Sequence, residues 1–105
     1  MLYRDESALA LAKPSGVLVH NSSYAGPRER SVVTAVREAL GASWSPVHRL
    51  DRATSGVLLF ASGAEAVRLW QSALARDDTE KHYLALVRGR VREALDVDHA
   101  LDDED

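Results

Sequence analysis

Residues 46–61 read PVHRLDRATSGVLLFA, a polar segment followed directly by an apolar one. The polar part is rich in charged and hydroxyl side chains, and residues 56–61 are a glycine followed by apolar residues only. A short apolar run that follows turn-forming residues is typical of a buried β-strand. We therefore expect a loop that presents charged side chains at the entrance to a core strand.

The residues at the start of the chain predict short strands, a turn and a loop. Short strands are expected at 2–4 and 8–12, and the sequence KPSG at 13–16 predicts a turn, because proline presets φ and glycine tolerates left-handed backbone. Residues 17–19 are expected to be extended, and residues 20–30 to form a polar loop.

Two helices and one more strand complete the prediction. Ser31 to Leu40 places valine, alanine and leucine on one face, and Gly41 stands where a C-terminal cap belongs. Ser62 and Glu65 have the spacing of a capping box that opens a second helix to about Arg76.

The apolar face expected for that second helix consists of Ala66, Val67, Trp70, Ala73 and Leu74. Residues 80–87 alternate in the manner of a strand. The order β-β-α-β-α-β predicts an α+β fold, with a mixed or antiparallel sheet and flanking helices.

Composition excludes several classes of protein and shows where the charged residues lie. The chain has 105 residues and no cysteine, which excludes disulfides and thiolate catalysis. No apolar run approaches the ~20 residues of a membrane span, and the first residues lack the layout of a secretory signal, so a cytoplasmic location is expected.

Residues 1–92 hold all 13 basic residues and nine acids, a formal +4, whereas residues 93–105 hold seven acids and no Lys or Arg. The net positive charge of residues 1–92 is compatible with a phosphate-bearing partner, although runs of charged residues usually form solvated surfaces.

The densest polar group in the sequence surrounds Asp51, which stands between Arg49 and Arg52. Neighbouring cations favour the ionised form of a carboxylate, and Thr54 and Ser55 offer donors that can hold such a loop. Spacing alone leaves two interpretations open. The cluster is either a structural ion-pair network or a site that uses a charged carboxylate.

The string HRLDRATSGVLLFA at 48–61 closely resembles the catalytic motif of the RluA-type pseudouridine synthases, enzymes that isomerise uridine in RNA. LALAKPSGVLVH at 9–20 is similar to the opening strand and turn of that family. EKHYLALVRGR at 80–90 is similar to its second motif, and VDHALDDED at 97–105 to the segment that follows, with Ala100 in place of the usual proline. The resemblance covers nearly the whole chain and most suggests the branch that modifies tRNA.

The resemblance implies a role for each matching residue. Asp51 corresponds to the catalytic aspartate, and Tyr83 to an active-site tyrosine that stacks on the target base. Arg49 corresponds to the arginine that enters the RNA stack when the uridine is flipped out. A salt bridge to Asp51 or a nearby acid is the open alternative for Arg49, and core packing is the alternative for Tyr83. His48, Arg52, Lys81 and Lys13 are further expected RNA-binding residues, although a loop-fixing hydrogen bond is an open alternative for His48 and a solvated turn for Lys13.

No cofactor or metal is expected, because the substrate itself supplies the leaving group and the new nucleophile. His20, His82 and His99 lie far apart without the spacing of metal ligands. The expected partner is RNA, with tRNA favoured, and no membrane. The sequence says nothing about the oligomeric state.

The chain departs from the family pattern at its C-terminus. Family members continue for roughly as many residues again, with a further arginine that pairs with the aspartate. We therefore expect residues 1–92 to form part of a catalytic domain and residues 93–105 to begin the second half. A fragment of an active enzyme and a non-catalytic RNA-binding or partner-supporting remnant both remain open.

Overall fold

The computed structural model describes residues 1–21 and 30–99. The helices and strands in these ranges are β1 (Tyr3–Arg4), β2 (Ala8–Lys13), α1 (Val32–Leu40), β3 (Trp44–Pro46), β4 (Gly56–Ser62) and α2 (Ala64–Leu74). The expected α+β class is confirmed, but the order is β-β-α-β-β-α. No helix in the described ranges is long and apolar enough to cross a bilayer.

The four strands form one antiparallel sheet in the order β1-β2-β4-β3. The longest ladder joins β2 to β4, from Ala8 opposite Ala61 to Lys13 opposite Gly56. This register brings the turn that follows β2 beside the end of the loop that leads into β4. β3 pairs with the other side of β4, so the same loop is held between two neighbouring strands.

The core lies between the sheet and α1. Leu9, Leu58 and Phe60 are almost fully buried, and Val33 and Val36 of α1 belong to the same cluster. Period-2 alternation explains why Leu58 and Phe60 share a face of β4. The predicted apolar face of α1 is therefore correct where the packing is densest.

Both ends of α1 have the residues that helix ends require. The Ser31 side chain accepts a hydrogen bond from the Thr34 N–H at 3.1 Å, which is an N-cap interaction. Gly41 has φ of 114° and donates its N–H to the Arg37 carbonyl at 2.9 Å. The predicted C-terminal cap is confirmed, and the helix begins one residue after its predicted start.

The strand predicted at 80–87 is wrong for the described structure. These residues form no strand, and Leu84 and Leu86 are fully exposed. Alternating residues predict which side chains share a face, but a strand also needs a neighbour for its backbone N–H and C=O groups. In the described residues the sheet ends at β1 and β3, and neither edge pairs with this segment.

The capping box predicted at Ser62 is also wrong. Ser62 is the last residue of β4, and its hydroxyl lies 2.8 Å from that of Ser43. Gly63, with φ of 92°, caps α2 without a side-chain hydrogen bond. The helix ends at Leu74, before the predicted Arg76, and no residue on it is fully buried.

The segment before α1 was expected to be extended at 17–19 and to form a loop at 20–30. Residues 17–19 form no strand, but the carbonyls of Leu18 and Val19 accept the N–H groups of Val32 and Val33 at 2.9 and 3.0 Å. This short segment is thus fastened to the start of α1. Most of the predicted loop at 20–30, and the expectations for residues 100–105, lie outside the described residues.

Candidate active site

The loop 47–55 joins β3 to β4 and carries the charged residues singled out in the sequence. The backbone of Leu59 in β4 forms hydrogen bonds with the first two residues of the loop. The Val47 N–H donates to the Leu59 carbonyl at 2.9 Å, and the Leu59 N–H donates to Nε2 of His48 at 3.2 Å. The start of the loop is therefore held against a core strand.

His48 has the loop-fixing hydrogen bond that was left open as an alternative for it. An Nε2 atom that accepts a hydrogen bond carries no proton, so the geometry requires the neutral ring. Burial lowers the pKa of His48 below its ordinary value, and the nearby charge of Lys81 lowers it further, against an opposing backbone hydrogen bond with Arg49. Direct RNA binding by His48 stays a prediction.

Leu50 anchors the middle of the loop. Its side chain is buried in the core cluster, whereas Arg49 and Asp51 on either side are exposed. Such an in-out alternation turns both charged side chains toward solvent. Nothing in the sequence prediction identified Leu50, although its apolar side chain between two charged residues was the available signal.

Asp51 lies at a turn in this loop. Its backbone carbonyl accepts the Thr54 N–H at 3.0 Å, as expected for a donor that fixes the loop. Within residues 1–21 and 30–99, no hydrogen bond or ion pair engages the Asp51 carboxylate. The ion-pair network considered from the sequence is therefore not formed around this carboxylate in the described structure.

Lys13 lies at the end of β2 and is buried, with only 2% of its surface exposed. Its Nζ donates to the carbonyls of Val17 at 2.6 Å, Pro14 at 2.9 Å and Arg52 at 3.1 Å. Burial lowers the pKa of Lys13 below its ordinary value. The solvated turn considered from the sequence is not observed, and the geometry gives no support for direct RNA binding, which stays a prediction.

The turn at 13–16 holds the second half of the loop in two further ways. The Gly16 N–H donates to the Arg52 carbonyl at 2.7 Å, with Gly16 at φ of 93°. The Ser15 hydroxyl donates to the Ala53 carbonyl at 2.7 Å. Arg52 returns a hydrogen bond from Nε to the Gly16 carbonyl at 3.3 Å, so its backbone and side chain both bind the turn.

The two residues from the second predicted motif lie on the exposed segment after α2. Lys81 is exposed, and its charge contributes to the lowered pKa of His48. Tyr83 is 66% exposed. It forms no hydrogen bond with the loop in the described part of the chain, so its role at the site remains a prediction.

No cluster of three or more His, Cys, Asp and Glu side chains with the arrangement of a metal site occurs in the described ranges. Arg49 and Arg52 belong to the loop itself, and the charge of Lys81 acts on His48. What the arrangement offers is an exposed carboxylate on a loop held by hydrogen bonds, with an arginine two residues before it and another directly after it in the sequence.

Comparison with known proteins gives a consistent result. The family model described as RNA pseudouridylate synthase matches residues 7–105. A protein named tRNA pseudouridine synthase C from Haemophilus ducreyi is 41% identical over 101 residues, which cover 96% of this chain and 42% of the relative. The protein of the same name from Vibrio cholerae is 38% identical, covering 99% of this chain and 43% of the relative. The chain thus spans about two-fifths of the length of these curated relatives.

Proposed function

This chain belongs to the RNA pseudouridylate synthase family, and from that premise we propose that its loop 47–55 supplies the catalytic carboxylate of a uridine-to-pseudouridine isomerase. The observation that carries the proposal is the state of Asp51. Its side chain is exposed and unpaired within the described residues, on a loop fastened to two strands and one turn. A carboxylate serving only as a structural ion pair would be engaged.

The reaction explains why a free carboxylate is needed. Uracil must be released from C1′ of the ribose, rotated and rejoined through C5. Asp51 either attacks C1′ to form a covalent intermediate or removes the C2′ proton to give a glycal. Each route uses the negative charge of Asp51, and neither calls for a cofactor.

The neighbouring side chains have distinct proposed tasks. Arg49, exposed beside the buried Leu50, fills the gap left in the RNA stack by the flipped uridine, for which a planar guanidinium is suited. Tyr83 stacks on the extruded base, and Lys81 and Arg52 contact phosphate. Lys13 and His48 act through the loop, because the structure engages both with backbone groups of the loop or of β4.

The proposed substrate is tRNA, since both relatives described above carry that RNA in their names. A tRNA substrate agrees with the cytoplasmic location expected from the sequence. The basic residues in 1–92 supply the attraction to phosphate that RNA binding requires. The complete activity is proposed for a protein that also contains the part of the relatives that this chain does not span.

The decisive experiment uses a chimera in which residues 1–105 replace the matching part of the Haemophilus ducreyi relative. The chimera and the chain alone are incubated with unmodified tRNA, and pseudouridine is detected by mass spectrometry after chemical labelling. We expect product from the chimera and none from its Asp51→Asn variant, which keeps size but loses the charge. Asp77→Asn, at an exposed position after α2, is the matched control and should retain activity.

Each outcome has a clear interpretation. Product from Asp51→Asn near the unsubstituted level would place the catalytic carboxylate elsewhere. An inactive chimera that still binds tRNA would favour the non-catalytic alternative, in which this fold only binds RNA.

A further inference from the structure

A second feature of the site lies beside the Asp51 loop, in a cavity of about 280 Å³. The residues that form it come from two segments, 18–21 and 49–52. Leu18, Val19 and Leu50 provide its apolar walls, and its polar groups belong to His20, Asn21 and the two arginines. Among residues 1–21 and 30–99, no carboxylate lines the cavity.

Both walls of this cavity are held by the fold. The first is fastened to the start of α1 through the carbonyls of Leu18 and Val19. The second is fixed by the buried side chain of Leu50 and by the bond from Lys13 to the Arg52 carbonyl. A cavity between two anchored segments keeps its shape without a ligand, so little ordering cost accompanies binding.

Asn21 is oriented by α1. The Thr34 hydroxyl donates to its Oδ1 at 3.4 Å, which assigns the acceptor end of the carboxamide to the helix. Among the described residues the Nδ2 amino group has no partner. Asn21 therefore presents a donor, and the same is true of the Arg49 guanidinium, which is exposed and makes no hydrogen bond in the described part of the chain.

From this arrangement we propose that the cavity binds an RNA phosphodiester group next to the target uridine. Its hydrogen-bond donors are Asn21, His20 and the N–H edge of Arg49, whose planar face remains available to fill the gap in the RNA stack. The proposal rests on the proposed function and adds His20 and Asn21 to its binding residues. Hydrogen-bond donors such as these favour an anion, and a guanidinium matches the geometry of phosphate oxygens. The volume is slightly below the ~300 Å³ at which pockets begin to enclose a drug-sized ligand, which suits a phosphate and part of its sugar.

The test compares two probes, uridine 5′-monophosphate and uridine, in NMR titrations of the 105-residue chain. The phosphate-bearing probe should shift the amide signals of Asn21 and Leu50, and uridine at the same concentration should not. Asn21→Asp should weaken binding of the monophosphate by about tenfold, because it replaces one donor by a repelling charge of nearly the same shape. Thr34 can still donate to the new carboxylate, so the fold is preserved.

Gln71→Glu is the matched control, since it makes the same change of charge at an exposed site on α2 that does not line the cavity. It should change the affinity by less than about twofold, because exposed charges are screened over ~8 Å at physiological salt. His20→Gln should weaken binding in the same direction as Asn21→Asp. Circular dichroism of each variant checks that the fold is retained.

Equal weakening by Asn21→Asp and Gln71→Glu would overturn the proposal, because only net charge would then matter. Unchanged affinity in Asn21→Asp, or equal binding of uridine and its monophosphate, would overturn it as well. These results are independent of the turnover assay. If uridine 5′-monophosphate binds no better than uridine while the Asp51→Asn chimera makes no pseudouridine, only the cavity proposal is rejected. If the monophosphate binds as expected while the Asp51→Asn chimera makes pseudouridine, only the catalytic assignment is rejected.

Discussion

Replacing Lys13 by methionine should destabilise the protein and loosen the Asp51 loop. Lys13 is buried, and its ammonium group bridges the turn after β2 and the carbonyl of Arg52. Methionine is similar in length and apolar, so Lys13→Met removes the three hydrogen bonds without opening a large cavity. Three carbonyl groups then lose a donor, among them the one next to Asp51.

The size of the effect follows from two opposing contributions. A hydrogen bond to a charged group contributes a net ~1.5–3 kcal/mol, so three such bonds contribute about 5–9 kcal/mol if their contributions add. Keeping a lysine charge away from water costs several kcal/mol, which methionine does not incur. We expect the free energy of unfolding to fall by about 2 kcal/mol. For a domain of this size, that corresponds to a melting temperature lower by roughly 8–16 °C.

Thermal denaturation followed by circular dichroism measures the loss, with Lys81→Met as the matched control. Lys81 is an exposed lysine, so the same chemical change there should alter stability by less than about 0.5 kcal/mol. Hydrogen exchange tests the local consequence. The Gly16 N–H donates to the Arg52 carbonyl at 2.7 Å, so its exchange should accelerate in Lys13→Met and stay unchanged in Lys81→Met. Equal melting temperatures for Lys13→Met and wild type, with unchanged Gly16 exchange, would refute the reasoning.

Two other predictions concern pH and the acidic end of the chain. Because the pKa of His48 is lowered in the folded state, the unfolded state binds more protons below about pH 6.5, so stability should decline as pH falls from there through the folded pKa. Equilibrium urea unfolding at several pH values checks this; His48→Gln should remove the decline and His82→Gln should retain it. Deleting residues 93–105, with seven acids and no Lys or Arg, should strengthen tRNA binding at low salt. Unchanged or weaker binding in a filter assay would contradict the role given to charge distribution.

The sequence predicted the loop, its following strand and α1 because local pattern and tertiary environment agree at these positions. The apolar run at 56–61 enters the sheet as β4, and the capping residues of α1 match both its ends. Residues 44–46 escaped prediction because a three-residue strand that ends in proline is too short for alternation to be visible. Ser62 misled the prediction of α2, since its hydroxyl bonds to Ser43 on a neighbouring segment.

The sequence named the residues of the candidate site but not how the fold holds them. The exposed Asp51 and Arg49 follow from a motif that the sequence displays directly. The buried Lys13 could not be inferred, because its three carbonyl partners converge only when the turn after β2 packs on the Asp51 loop. Likewise, the cavity beside Asp51 depends on residues 18–21 meeting residues 49–52, a contact between segments far apart in the chain.

The ladder between β2 and β4 links these features to one another. Its register sets Lys13 opposite Gly56, four residues after Arg52, so the ammonium group reaches the carbonyl of Arg52. A shift of one residue would turn the side chain of Lys13 to the other face of the sheet, because strand side chains alternate. The same shift would move Leu9 out of the core and separate the turn from the loop. Packing of the apolar residues therefore selects the register, and the register in turn orients the carboxylate proposed for catalysis.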